Sequence, residues 1–142
     1  MHKLMEATGE SVQLYQLTEN TRTCIASKEP ESGLHNFVPV GAQLPLTSGS
    51  AARIIAAFND ISVPNASYTQ QHLTAARENG LSESIEEREA GLSSVSAPVI
   101  DSSGNFIAAL SISGSAERFR PSPAKKFGKQ LTAAAQELGA RI

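Results

Sequence analysis

Tryptophan is absent from this 142-residue chain, cysteine occurs once, and aromatic residues make up 5% of it. With Cys24 alone, no internal disulfide can form. The core must therefore be built mainly from Ala, Ile, Leu and Val. Three scattered histidines, His2, His35 and His72, have no metal-ligand spacing, so no metal or other cofactor is expected. Basic excess is lacking too: 12 Lys and Arg stand against 14 Asp and Glu, a formal charge of -2. Such a balance lacks the positive field of a nucleic-acid-binding surface. No apolar run approaches the ~20 residues that span a bilayer, and no signal-peptide core precedes the first strand. Cytoplasmic residence without membrane association is the expectation. Neither repeats nor low-complexity tracts occur, and the length suits one domain.

The segment from Gly91 to Ser115 is the most informative. Two apolar runs, Val95 to Ile100 and Phe106 to Ile112, flank Asp101-Ser102-Ser103-Gly104, which has the residues of a tight turn. Ser94 with Ser96, and Ser111 with Ser113, recur at period two, so each pair shares one face of its strand. A four-residue loop would place Ser94 opposite Ser111 and Leu92 opposite Ser113, converging the hydroxyls. A five-residue loop would send Ser94 and Ser111 to opposite faces. A half-serine, half-aliphatic sheet face suits a small polar ligand; equally, the serines could be small residues facing solvent or a helix.

Upstream, Met1 to Glu10 shows little periodicity and reads as the tail of an interdomain linker, with the domain itself from 11 to 142. Val12 to Leu17, Thr21 to Ser27 and Leu34 to Val38 read as strands. Pro39 to Leu46 carries two prolines and a glycine and is expected to be irregular. Thr47-Ser48-Gly49-Ser50 precedes a helix over Ala51 to Phe58 whose stripe of Ala51, Ile54, Ile55 and Phe58 suits packing on a sheet. Thr69 can cap a second helix ending at Gly80, and Leu81 to Ala90 is acidic and polar. Ser122-Pro123 opens a last helix, stopped by Gly139. The order β-β-β-α-α-β-β-α predicts an α+β domain with helices covering an antiparallel sheet.

At the helix start near Ser50, unpaired backbone N–H groups and the positive end of the helix dipole favour an anion. The amides of Ser50 and Ala51 could grip a carboxylate from one side while the hairpin hydroxyls grip it from the other. Alternatively, Thr47, Ser48 or Ser50 simply caps the helix. Enzyme signatures are missing: no Gly-x-Ser-x-Gly elbow, no Gly-rich phosphate loop, no His-x-x-x-His pair. Cys24 reads as a buried strand residue and His35 as structural or pocket-lining. Glu83, Glu86, Glu87 and Glu89 read as a solvated loop, one of which could reach a pocket mouth. Arg118, Arg120, Lys125, Lys126 and Lys129 read as a wet face or a subunit contact.

The ordered set Thr8-Gly9-Glu10, Val40 to Leu46, Ser50 to Arg53, Glu78-Asn79-Gly80, Glu87 to Leu92, Ala97 to Asp101 and Ala108 to Gly114 resembles the effector-binding domain of IclR-type bacterial transcription regulators. It covers nearly the whole chain. The resemblance implies a GAF-like (profilin-like) antiparallel sheet flanked by helices, and ligand sensing rather than catalysis. It implies a small carboxylate metabolite as effector, a homodimer or homotetramer, and operator DNA bound only through an N-terminal winged helix that this chain lacks. It places the effector contacts on Asn36, Leu44, Ser50, Ala51, Ser84, Leu92, Ser94, Ser111 and Ser113. Ala52-Arg53 replaces the Gly-Lys common in the family, Ser84 stands where an acid is frequent, and the segment 59–71 is short. Competing expectations are a free-standing GAF-like sensor or enzyme, and an assembly module with a vestigial pocket.

Overall fold

Alternating side chains divide the interior into two cores, one on each face of a six-stranded antiparallel sheet. The computed structural model describes residues 1–31 and 38–142. In chain order the elements are α1 (His2–Thr8), β1 (Ser11–Thr18), β2 (Thr21–Lys28), β3 (Gln43–Pro45), α2 (Ser50–Asn59), α3 (Gln70–Asn79), β4 (Ser82–Ile85), β5 (Leu92–Ile100), β6 (Phe106–Ser115) and α4 (Pro123–Ala140). Strand order in the sheet is β3-β2-β1-β6-β5-β4.

One face carries Val12, Val95, Ala97, Val99, Leu110 and Ile112, packed with Leu4 of α1 and with Phe127, Leu131 and Ala135 of α4. The other carries Tyr15, Cys24 and Ala109 beneath α2 and α3. Ile54 and Ile55 of α2 are fully buried there, each contributing roughly 1.5–3 kcal/mol of apolar burial. This is the expected α+β architecture. Ser94, Ser96, Ser111 and Ser113 alternate with the apolar residues of the α4 side and so face α2.

Several expectations are corrected. Residues 2–8 form a helix rather than an aperiodic tail, with Leu4 buried. The third strand is Gln43–Pro45, inside the stretch expected to be irregular; as an edge strand paired, among the described residues, with β2 alone, it tolerates Pro45. Of the run Leu34 to Val38, residues 34–37 lie outside the described residues and Val38 is not in a strand. The acidic stretch contains the edge strand β4, because Ser82 and Ser84 point inward and their acidic neighbours do not pack there. Gly139 does not stop α4, which runs on to Ala140. It lies where the helix crosses β5, and a Cβ there would overlap the carbonyl oxygen of Ile100.

The hairpin register also differs. Ile100 pairs with Phe106 across a five-residue loop, not with Asn105, and the pairing then shifts by one more residue, leaving Ile107 without an opposite number. Ser94 therefore faces Ser113, Ser96 faces Ser111, and Leu92 faces Ser115. Two single-residue offsets, one in the loop and one in the bulge, sum to a shift that keeps each residue on its face. The hydroxyls converge after all, with different partners.

Candidate functional site

The hydroxyl of Ser50, the first residue of α2, does not cap its own helix. The N-cap is Gly49, and among the described residues no side chain caps α2. Instead Ser50 Oγ lies 2.7 Å from Ser94 Oγ and 2.7 Å from Ser96 Oγ, and Ser96 Oγ lies 2.5 Å from Ser111 Oγ. Beside this chain Ser113 donates to Gln13 Oε1 at 2.9 Å. All of these except Ser94 are buried. The amino end of α2 is thus pinned to a hydroxyl-bearing sheet surface, and among the described residues no side-chain acceptor takes up its first amides.

A small cavity of about 30 Å³ opens at this junction. Its wall includes Ser50, Ala51, Ser84, Leu92, Ser94, Ser111 and Ser113, together with Gln13, Tyr15, Arg22, Gly49 and Arg88. Seven of the nine residues expected from the resemblance are gathered there. Leu44 is not among them; it sits on β3 opposite Arg22 and packs into the α2-side core. Asn36 and His35 lie outside the described residues. The free volume holds about two waters, less than a metabolite needs.

No carboxylate lines the cavity among the described residues, whereas two guanidinium groups do. Glu83 accepts from the backbone N–H of Ala124, Glu86 from that of Gly91, and Glu87 pairs with Arg53. Three of the four acids are therefore spent on local structure, and the run's one base, Arg88, reaches the cavity. Arg118 is held by both oxygens of Glu10 at 2.8 Å, which raises its pKa, so part of the basic segment serves the fold.

Sequence reasoning missed Arg22. This side chain is 3% exposed. Its Nη1 donates to the carbonyl of Ser48 at 2.8 Å, its Cζ lies 5.2 Å from the centre of the Tyr15 ring, and its Nε has no hydrogen-bond partner. No carboxylate pairs with it among the described residues. Burial lowers its pKa to about 10, with the Tyr15 hydroxyl pulling the other way; it stays cationic at neutral pH. Gly49 packs against the guanidinium: its φ of 101° suits glycine, and a Cβ there would come within 3.1 Å of Arg22 Nη2. The available signal was phase, since Arg22 lies two residues from the inward-facing Cys24. Burial likewise raises the pKa of Tyr15, Tyr68 and Cys24, leaving each neutral.

The family model described as the C-terminal part of bacterial IclR transcriptional regulators matches residues 64–140. The chain belongs to the IclR family. Among curated relatives, the HTH-type transcriptional repressor AllR of Salmonella typhi is 28% identical over 136 residues, covering 83% of this chain and 50% of the repressor. The HTH-type transcriptional regulator KdgR of Escherichia coli is 27% identical, covering 100% of this chain and 61% of that regulator. Of solved structures, the Thermotoga maritima IclR superposes with a TM-score of 0.83 at 25% identity over 97% of this chain and 63% of that one. The C-terminal domain of E. coli KdgR gives 0.78 at 25% over 98% and 91%. This IclR-type domain spans about half the length of the first curated relatives it matches. No helix among the described residues is long and apolar enough to cross a membrane.

Proposed function

We propose that this IclR-type domain senses a small carboxylate, bound between the amino end of α2 and the serines of β5 and β6. The observation that carries the reading is the start of α2, uncapped by any described side chain, facing the hydroxyls of Ser84, Ser94, Ser111 and Ser113 in a cavity that no carboxylate lines among the described residues. Backbone amides and hydroxyls can surround a carboxylate without a change of protonation, and the helix dipole favours its charge. Domain 11–142 is the sensing unit and residues 1–10 lead into it. It acts without catalysis, metal or cofactor, as a homodimer or homotetramer in the cytoplasm. It would report to operator DNA through a winged helix elsewhere in the regulator. Because Ser50 fastens α2 to the hairpin, an effector that replaces those contacts moves α2 relative to the sheet, and linkage makes the coupling to DNA binding reciprocal.

The small cavity favours one other reading, an assembly module whose pocket is vestigial. Calorimetric titration of the protein with a panel of hydroxy, oxo and aromatic acids separates the two. The sensing reading expects at least one acid whose affinity falls about tenfold or more in Ser111→Ala and Ser94→Ala. Heats absent for every acid, or affinities unchanged in both variants, overturn it.

A further inference from the structure

We propose that Arg22 is the residue that makes this site select anions over neutral molecules of the same shape, pairing directly with the effector's carboxylate. The inference rests on the sensing reading above and adds to it the residue that reads charge. A guanidinium has five N–H donors in a rigid fork, well suited to a carboxylate. Here it lies at the cavity wall with Nε unpartnered and, among the described residues, no carboxylate alongside, although it is 3% exposed. A buried, unpaired cation is expensive for a fold, and an arriving anion removes most of that cost.

Placement supports the pairing. Arg22 projects from β2, two strands away from β6 in the sheet order, so it approaches the cavity from the side opposite β5. Its bond to the Ser48 carbonyl and its packing against Gly49 put the guanidinium against the loop that ends at the first amides of α2. One carboxylate can then meet Arg22 with one oxygen and the α2 amides with the other, leaving the serines and Gln13 to read the rest of a small molecule. Its size is restricted by the tightness of the cavity, which suits acids of a few carbons once the serine chain opens. The Ser48 bond also makes Arg22 a sensor of its own loop. Any shift of the guanidinium toward a ligand pulls on the backbone immediately before α2.

The test pairs each of acetate, lactate, pyruvate, malonate and succinate with its neutral amide in calorimetric titrations of the whole chain, for the wild type, Arg22→Gln, Arg22→Lys and Ser111→Ala. At least one acid should bind the wild type about tenfold or more tighter than its amide. Arg22→Gln should erase that gap, Arg22→Lys should restore part of it, and Ser111→Ala should weaken acid and amide together. The Arg22 Nε–H resonance of the wild type should move with the acid and stay put with the amide, a readout that needs no variant to fold. A gap that survives in Arg22→Gln, no gap for any acid, or an unmoved Nε–H resonance overturns the role of Arg22. If Ser111→Ala still weakens binding in that case, the sensing site stands without it; if neither variant changes binding, the site itself is wrong.

Discussion

Ser50 and Ser96, 46 residues apart in the chain, join their hydroxyls at 2.7 Å and so tie the first turn of α2 to the middle of β5. Helix and sheet meet at this point through oxygen rather than through methyl groups. The same contact positions a ring of donors and acceptors around the cavity.

Replacing Ser96 by Ala deprives both Ser50 and Ser111 of a buried partner. Ser111 is 2% exposed, and water cannot easily replace what it loses. The expected cost is about 1–3 kcal/mol, read as a lower urea midpoint with an unchanged slope. Ser94→Ala should cost less, since Ser94 is half-buried and Ser50 keeps Ser96.

Arg22→Met should make the ligand-free protein more stable. Burial lowers the Arg22 pKa to about 10, which corresponds to roughly 3 kcal/mol against the charged form at neutral pH. The sign follows from linkage. Below about pH 10 the native state carries the penalty, and stability recovers only as pH rises toward the unfolded value. The bare Ser48 carbonyl takes back part of the gain, so the expected net is about 1–2 kcal/mol, seen as a higher melting temperature. An acid that raises the melting temperature of the wild type should leave the variant's unchanged.

How legible the site was depended on which residues carry a periodic signal. The period-two serines and the Thr47-to-Ala51 helix start were readable, because alternation fixes a face and a run of small helix formers fixes an axis. Register was not, since Ile107 in the bulge leaves no mark on the alternation. Seven-residue α1 and four-residue β4 are too short to show a period, and they owe their form to Leu4, Ser82 and Ser84 docking on neighbours. A charged residue on a strand reads as outward-facing, which hid Arg22. Only its burial under Tyr15 and Gly49 reveals its place.

Gly139→Ala should destabilise the protein by about 2–3 kcal/mol despite the better helix propensity of alanine. The added Cβ would overlap the Ile100 carbonyl oxygen, a backbone atom that cannot turn aside, so α4 must lift from β5. Thermal unfolding measures this. An unchanged midpoint would mean that the helix crossing is looser than described.

Acid should loosen the tip of the β5–β6 hairpin before it unfolds the domain. Asp101 Oδ1 accepts from the backbone N–H groups of Ser103 and Asn105 at 2.9 Å, and the bond from Asn105 leads the causes that hold its pKa below the usual value. A depressed carboxyl stabilises the fold above its unfolded pKa of about 3.8 and loses that contribution as pH falls through the folded value. Amide exchange at Ser103 and Asn105, compared between neutral pH and about pH 3, should show protection lost there first.

The most direct measurement is a crystal structure with the acid that most raises the melting temperature of the wild type. Its carboxylate should sit within hydrogen-bond distance of the Arg22 guanidinium and the backbone N–H groups of Ser50 and Ala51, with the Ser50–Ser94 contact broken. Density for the acid elsewhere on the molecule, with Ser50, Ser94, Ser96 and Ser111 still joined as they are now, would contradict the account.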